Sequence, residues 1–437
     1  MYRQLIVHRR FLLLFSAFLL FLHGATSGPH IGQAAPLSNN HTFPHVVEAG
    51  DTWTALSYRY GTSVNALQAV NPHPNPLREP TVGATVQIPT EPDGAARAPQ
   101  VGKLQRPMSG GLLLLAARTG SNPWVLAHQS GLPHPGRPLF YHPVFIFGGN
   151  EPPRDLPLRF QSLELSRIPA QPGQALGFRA HAGTAISVTA RLDNLPLNSF
   201  VNDGDAGDGV THVIGIGGTG AFFGPGAPEL SIRPAGQPLW SQPWRFVDDV
   251  WDYDQVTLTG AAAEIDRESI LAERARLFEI WSLVSGRPLW EGPFQVPIEN
   301  YVALSSNYGA RRSYNGGPYS TYHEGVDYAA YAGTPVYAPA AGRVVLAEML
   351  YVRGGAVIID HGLGVYSGFY HMSVVHAEEG QQVEPGDLLG EVGTTGFSSG
   401  NHLHWDLLVA ETWVDAAAWR EQGMACWILE GWGQPCE

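Results

Sequence analysis

Two short histidine motifs constrain the fold of this chain more than any other feature. They are His323-Glu-Gly-Val-Asp327 and, nearer the C-terminus, His402-Leu-His404. Residues i, i+2 and i+4 of a β-strand point to the same face, so each motif would place its terminal side chains together. A helix would also join i and i+4, but Gly325 and the following Ala-Gly-Thr-Pro disfavour one. Gly325 is the only residue between the first pair on that face, and its missing side chain leaves room for an ion.

Two imidazoles and one carboxylate form a ligand set that suits zinc, with a fourth position left for water. One histidine of the second motif is then spare, and His371 in Gly-Phe-Tyr-His-Met is another candidate. A lone His-x-His pair is weak evidence of a metal site. The three motifs in one compact stretch together predict one.

Longer motifs surround these histidines, and they carry a family resemblance. They are Ser-Asn-Tyr-Gly-Ala-Arg-Arg (306–312), His-Glu-Gly-Val-Asp-Tyr-Ala-Ala (323–330), Gly-Thr-Pro-Val-Tyr-Ala-Pro-Ala-Ala-Gly (333–342), Ile-Asp-His-Gly-Leu-Gly-Val-Tyr-Ser (359–367), Tyr-His-Met (370–372) and Gly-Thr-Thr-Gly-Phe-Ser-Ser-Gly-Asn-His-Leu-His-Trp (393–405). In the order, spacing and type of these residues, the stretch 300–419 resembles the lysostaphin-type (LytM-type) zinc metallopeptidases of bacterial peptidoglycan. Met372 and Asn401 are small departures, where leucine and proline are usual.

The resemblance implies a role for each of five side chains. His323, Asp327 and His404 are expected to bind Zn2+, and His371 and His402 are expected to be catalytic. The resemblance also implies a β-rich peptidase domain of the duplicated hybrid motif type. Because the chain has no His-Glu-x-x-His helix, a glutamate base of the thermolysin kind is not available in that form. Imidazoles titrate near neutral pH and can transfer the protons instead.

The expected activity is that of a zinc metalloendopeptidase acting on peptidoglycan stem peptides or cross-bridges. The alternative is a non-catalytic peptidoglycan-binding or amidase-activating protein with a peptidase-like fold. Loss of one of the five residues would favour that alternative, and none is lost here. A third possibility is autoinhibition, with Asn307 either an occluding ligand or part of the scaffold.

The N-terminus has the pattern of a secretory signal peptide, assigned to residues 1–27. Three arginines precede a wholly apolar run, interrupted only by Ser16, that is too short to span a bilayer stably, and Ala-Thr-Ser then offers a cleavage site. An uncleaved anchor is the alternative. Because no second long apolar run follows, we expect a secreted or cell-wall-associated, extracytoplasmic protein with no transmembrane span in the mature chain.

Charge and cysteine content restrict the partners and the compartment. Removal of the three arginines in 1–27 takes the formal net charge from −13 to −16, which argues against nucleic acid as a partner. Attachment to an anionic wall would then need a dedicated binding module. Cys426 and Cys436 are the two cysteines, and an oxidising compartment would favour a short disulfide loop over two free thiols.

Residues 45–89 read as a separate α+β unit. A short strand leads to a helix that Asp51 or Thr52 can cap and Gly61 ends, and a second helix starts at Thr62-Ser63 and stops at Asn71-Pro72. A closing strand ends in Val-Gln-Ile-Pro. This order and these motifs resemble a LysM domain.

The LysM resemblance implies binding of N-acetylglucosamine-containing glycans and therefore targeting to the wall. The candidate contacts are Gly50, Asp51, Thr52 and Asn71, in the 50–53 turn and the 71–76 loop. A small structural or protein-binding module is the alternative.

The remaining segments give weaker patterns. Residues 90–105 are typical of a linker, 106–159 are an unassigned connection with one possible helix near 122–131, and 420–437 form a C-terminal tail. Alternating β-branched runs across 160–298 predict an immunoglobulin-like β-sandwich region, with a helix near 261–283. Acidic residues at 203–208 fit a solvated turn better than a calcium loop, because the full ligand spacing is absent.

Overall fold

The computed structural model describes residues 41–106, 111–136, 143–204, 210–421 and 423–437. The predicted signal peptide at 1–27 and most of the acidic turn at 203–208 lie outside these residues. The predicted mainly β class is confirmed for the part of the chain that is described. None of the described helices is long and apolar enough to cross a membrane.

The N-terminal unit has the predicted strand–helix–helix–strand order. Thr52 caps the first helix by accepting a hydrogen bond from the Ala55 N–H, and Ser63 caps the second in the same way through Ala66. The two strands pair antiparallel and close the unit. Its elements are β1 (Thr42–Val46), α1 (Trp53–Arg59), α2 (Val64–Val70) and β2 (Thr85–Pro89).

The predicted linker and connection contain more structure than their sequence indicates. A two-stranded antiparallel sheet joins the end of the linker to residues 144–147, and two helices lie between its strands. The two strands are far apart in sequence, so neither local pattern reveals its partner. The elements are β3 (Gly102–Gln105), α3 (Gly111–Thr119), α4 (Pro123–Gln129) and β4 (Val144–Phe147).

The central region contains the predicted β-strands, and one strand, β8, belongs to both of its groups of strands. Seven strands form one hydrogen-bonded path in the order β11-β10-β7-β8-β9-β6-β5, because the first half of β8 pairs with β7 and its second half pairs with β9. Sequence alternation predicts the strands, but it does not predict that β8 pairs with both β7 and β9. The elements are β5 (Phe160–Leu165), β6 (Ala175–Ala182), β7 (Val188–Leu192), β8 (Leu195–Asn202), β9 (Thr211–Gly218), β10 (Glu229–Pro234) and β11 (Trp240–Pro243).

The LysM-like unit and the central sheet share one apolar core. Trp53, Leu56 and Val82 belong to the same buried cluster as Phe178 and Trp244. The backbone of Val82 pairs with residues 243–245. The two units are therefore packed against each other and are not independent domains joined by a linker.

Residues 248–298 belong structurally to the C-terminal domain. β12 (Tyr253–Val256) pairs in parallel with residues 311–314 rather than with the central sheet. The predicted helix near 261–283 is a 3-10 turn, Gly260–Glu264, followed by α5 (Arg267–Trp281), which Asp266 caps. The predicted region 160–298 thus contributes its last part to the domain that follows.

The C-terminal domain is built on an eight-stranded sheet in the order β13-β16-β24-β20-β19-β18-β22, with β25 paired to β24. Two three-stranded sheets, β12-β14-β15 and β17-β23-β21, flank it. The strands are β13 (Ala303–Ser306), β14 (Arg311–Tyr314), β15 (Thr321–Tyr322), β16 (Gly325–Ala329), β17 (Pro335–Tyr337), β18 (Gly342–Leu350), β19 (Gly354–Gly362), β20 (Val365–Met372), β21 (Val374–Val375), β22 (Gln382–Val383), β23 (Leu388–Glu391), β24 (His402–Val409) and β25 (Thr412–Val414).

The C-terminal tail is a buried helix rather than a loose end. α6 (Met424–Trp432) follows the 3-10 helix Ala416–Trp419, and its backbone accepts hydrogen bonds from the side chains of Asn202 and Trp290. The predicted disulfide is present between Cys426 and Cys436. The helix thus ties the central sheet to the C-terminal domain.

Candidate active site

Two paired strands bring the predicted metal ligands together. β16 and β24 are antiparallel, and Asp327 lies directly opposite His404. The strand that carries Asp327 begins only at Gly325, so the prediction that His323 shares its strand face is wrong. His323 lies in the connection before the strand, where its backbone pairs with residues 309 and 310.

The three side chains form a compact triangle. The carboxylate Oδ1 of Asp327 is 3.0 Å from His323 Nε2 and 2.8 Å from His404 Nδ1, and the two nitrogens are 3.0 Å apart. Two ligands at 2.0–2.1 Å from a tetrahedral zinc ion are about 3.3 Å apart, so these atoms could surround one ion after small shifts. A Cβ at Gly325 would lie 2.8 Å from His404 Nε2, and glycine keeps this space open.

Hydrogen bonds fix the ring of His323 in the form that a metal requires. Its Nδ1 lies 3.0 Å from the Asn307 carbonyl oxygen, so Nδ1 carries the proton and Nε2 presents a lone pair to the triangle. Burial lowers the pKa of His323, with Asp327 opposing, so the ring is neutral near neutral pH.

The carboxylate of the triangle is held in its charged form. Burial alone would raise the pKa of Asp327, but His323 and His404 outweigh burial whenever they share a proton with this carboxylate, and they hold its pKa well below its usual range. Binding of a metal ion would displace that shared proton. A deprotonated carboxylate beside two neutral imidazoles is the state that binds Zn2+. The donor set, its spacing and its protonation therefore fit zinc.

His371 and His402 stand beside this triangle, with ring centroids 4.8 Å apart. The Nδ1 of His371 is 2.8 Å from the Thr395 carbonyl oxygen, and the Nδ1 of His402 is 2.8 Å from the Gly400 carbonyl oxygen. Each Nδ1 therefore donates its proton to the backbone, and each Nε2 is the ring nitrogen that remains for proton exchange. His371 also has a φ of 66°, a strained value for a residue with a side chain and one that is often found at functional sites.

Three further residues, which the sequence analysis did not single out, support the triangle. Arg312 donates from Nη2 to Asp327 Oδ2 at 2.8 Å, which leaves Oδ1 facing the imidazoles. Ser306 Oγ is 2.9 Å from His323 Nδ1 and donates to Asp254 Oδ2 at 2.6 Å. Arg312 and Ser306 lie within the matched motif 306–312, but Asp254 has no local signal, because it comes from β12, far upstream.

Asn307, which the sequence raised as a possible occluding ligand, and Glu324, the neighbour of His323 in sequence, both have scaffold roles. Asn307 turns its side chain to Asp252, with Nδ2 2.9 Å from Oδ2, and it is not among the metal-binding group. Glu324 pairs with Arg274 of α5.

A cleft of about 530 Å³ opens over the site. Asp327, His371, His402 and His404 line it, and His323 is almost fully buried. Its walls are the segment 253–258 and the loop 397–402. Sites for small ligands are about 300–1,000 Å³, so the cleft can hold a short peptide.

The predicted glycan contacts lie apart from this cleft and are engaged within the fold. The N–H of Gly50 donates to Gln242 Oε1 at 2.9 Å, and Asp51 is fully buried in an ion pair with the arginine that ends α1. Thr52 caps α1, and the amide of Asn71 bonds to backbone on both sides of it. The chain itself covers the 50–53 turn, so a glycan could reach it only after this interface opens.

Comparison with known families agrees with two of these units. Residues 321–416 match Peptidase family M23, and residues 45–89 match the LysM domain. The chain therefore carries an M23 peptidase domain and a LysM domain.

Two relatives match a little more than a quarter of this chain. The peptidoglycan DD-endopeptidase ShyA of Vibrio cholerae serotype O1 is 34% identical over 120 residues, 28% of each chain. The DD-carboxypeptidase/endopeptidase Mpg of Neisseria meningitidis serogroup B is 38% identical over 125 residues, again 28% of each chain. The match thus spans little more than a quarter of these relatives.

Two solved structures resemble part of the chain. The catalytic domain of the prophage-encoded M23 protein EnpA from Enterococcus faecalis is 30% identical, covers 29% of this chain and 95% of its own, and has a TM-score of 0.25. The catalytic domain of lysostaphin from Staphylococcus simulans is 26% identical, covers 29% and 86%, and has a TM-score of 0.21.

Proposed function

We propose that this chain is an extracytoplasmic zinc metalloendopeptidase that hydrolyses peptide bonds in bacterial peptidoglycan. The observation that carries the proposal is the triangle of His323, Asp327 and His404 with two further imidazoles beside it, at the floor of one cleft. The LysM domain and the relatives named as peptidoglycan endopeptidases support the substrate class.

The three ligands would hold one zinc ion, and the chain's other groups would orient it and move protons. When bound, zinc would polarise the scissile carbonyl and make a water molecule more acidic. Arg312 holds the outer oxygen of Asp327, so this carboxylate keeps its orientation as the site loads.

His371 and His402 are suited to proton transfer. Burial, together with the nearby charges of His402 and His404, lowers the pKa of His371 well below its usual range, so the ring is neutral and able to accept a proton. Because both Nδ1 atoms are held by carbonyl oxygens, each ring exchanges its proton through Nε2. One ring would accept the proton of the attacking water, and the other would donate to the leaving amine.

Secretion and wall targeting complete the proposal. The signal peptide pattern at 1–27 would deliver the chain outside the cytoplasm. The LysM domain would then give an acidic protein its affinity for the wall, once the covered turn at 50–53 becomes accessible.

Digestion of purified peptidoglycan tests the proposal. Sacculi with direct cross-links and sacculi with glycine bridges are incubated with the mature chain, and soluble fragments are identified by mass spectrometry. We expect new peptide termini that disappear with a chelator and return with zinc. The relatives' names favour the direct D,D cross-link as the bond that is cut. Binding to sacculi without any new terminus would instead establish the non-catalytic alternative.

A further inference from the structure

β12 is an unusual wall for the cleft, because it comes from outside the matched peptidase segment 321–416. It lies at the edge of its three-stranded sheet and pairs only with β14 in the described part of the chain. The segment 253–258, which contains β12, lines the same cleft as the catalytic imidazoles. An edge strand beside an active site can offer its backbone to a substrate.

Only alternate residues along β12 direct their backbone N–H and C=O groups towards β14. The N–H of Arg311 donates to the Asp252 carbonyl at 2.8 Å, and the N–H of Asn315 donates to the Val256 carbonyl at 2.9 Å. Even-numbered residues therefore face β14, and the backbone groups of Tyr253 and Gln255 point the other way. Outside the ladder with β14, no backbone hydrogen bond in the described residues reaches the N–H or C=O groups of Tyr253 and Gln255.

Side chains of this segment fix the strand relative to the metal ligands. Asp254 accepts a hydrogen bond from Ser306, whose Oγ also contacts His323 Nδ1. Asp252 accepts from Asn307 Nδ2 at 2.9 Å. β12 is thus linked to the triangle through the side chains of Asp254 and Ser306.

We propose that the free edge of β12 is a substrate subsite, where an extended part of the peptidoglycan peptide adds as a further strand. The N–H and C=O groups of Tyr253 and Gln255 pair with the backbone of that peptide and set its register. The scissile bond is thereby placed under the Nε2 atoms of His371 and His402. This inference rests on the proposed function.

A peptide fits this edge better than a glycan does. Donors and acceptors repeat along a sheet edge with the two-residue period of an extended peptide. Sugar rings have no such repeat. The side chains of Tyr253 and Gln255 are largely exposed, so recognition here depends on backbone more than on residue type.

A proline at Gln255 tests the proposal. Gln255→Pro removes one N–H from the free edge and none from the ladder with β14, and proline is tolerated on edge strands. Gln255→Ala is the matched control, because it removes the side chain and keeps the N–H. One net hydrogen bond corresponds to about a 2- to 12-fold loss of kcat/KM on a soluble cross-linked stem-peptide dimer. Zinc content and thermal unfolding are measured on the same preparations.

N-methylated substrates provide a second test that needs no variant. Versions of the dimer that carry one methylated amide each are given to the wild-type protein. Strand addition predicts that alternate methylations weaken binding, because only every second amide faces β12.

Equal kcat/KM for the proline and alanine variants, or no alternation along the methylated series, would overturn the subsite. If the wild type cleaves no peptidoglycan peptide at all, the proposed function fails instead.

Discussion

Substitution of Gly325 by alanine is the sharpest steric probe of the site. A Cβ at this position would lie 2.4 Å from the Trp405 carbonyl oxygen and 2.8 Å from His404 Nε2. Ordinary contact begins at 3.4 Å, so β16 and β24 must separate by about 1 Å at this pair. The obstacle is backbone, so a rotamer change cannot relieve it. Gly325 has no positive φ, and the effect is therefore purely steric.

Overpacking of this kind costs about 1–3 kcal/mol in the free energy of unfolding. Because the same methyl group displaces a proposed ligand, we also expect zinc to bind about 10- to 100-fold more weakly, the range seen when the partner of a ligand is disturbed. The assay is a zinc competition titration with thermal unfolding of the metal-free protein. Gly286→Ala is the control, because its Cβ would meet nothing within 4 Å. If Gly325→Ala binds zinc as tightly as this control, our placement of the ion is wrong.

Three other predictions follow from the same contacts. His371→Ala and His402→Ala should keep zinc and lose about 10²–10⁴-fold in peptide cleavage, with the double variant little worse than the poorer single one; metal analysis and kinetics on one preparation decide this. Burial lowers the pKa of His361 to about 4, so the unfolded chain takes up a proton that the folded chain refuses between pH 6.5 and 4. As the pH is lowered across that window, the free energy of unfolding should decrease by up to about 3 kcal/mol. The decrease should be smaller in His361→Gln, as measured by denaturation at a series of pH values. Gln242→Ala should cost about 1–3 kcal/mol, because its buried amide bonds Gly50, Asp51 and Pro80, and an unchanged thermal midpoint would contradict the packed interface.

The sequence predicts those parts of the molecule that local spacing determines. The caps at Thr52 and Ser63 and the stop at Asn71 follow from residue type and position. The Cys426–Cys436 bridge follows from two cysteines close in sequence. The metal-ligand assignment stays a prediction, although the structure brings its three residues together.

Long-range pairing is what the sequence cannot specify. Alternation in Val256-Thr-Leu-Thr predicts a strand that starts at Val256, whereas the strand β12 ends there, and only the folded chain places it beside β14 instead of in the central sheet. For the same reason, the role of Asp254 next to Ser306 has no sequence signal. The turn at Gly50 is predicted to contact glycan, but it is buried because Gln242, far along the chain, accepts a hydrogen bond from its backbone.

Zinc-edge anomalous diffraction from crystals of the wild-type chain tests the central claim most directly. We predict one strong peak about 2.0–2.2 Å from His323 Nε2, Asp327 Oδ1 and His404 Nδ1, with no protein atom in the fourth position. His404→Ala crystals grown in the same zinc concentration should lose the peak. A peak that survives in this variant, or a wild-type peak bound through His371 or His402, would contradict the division of the five residues into ligands and catalysts.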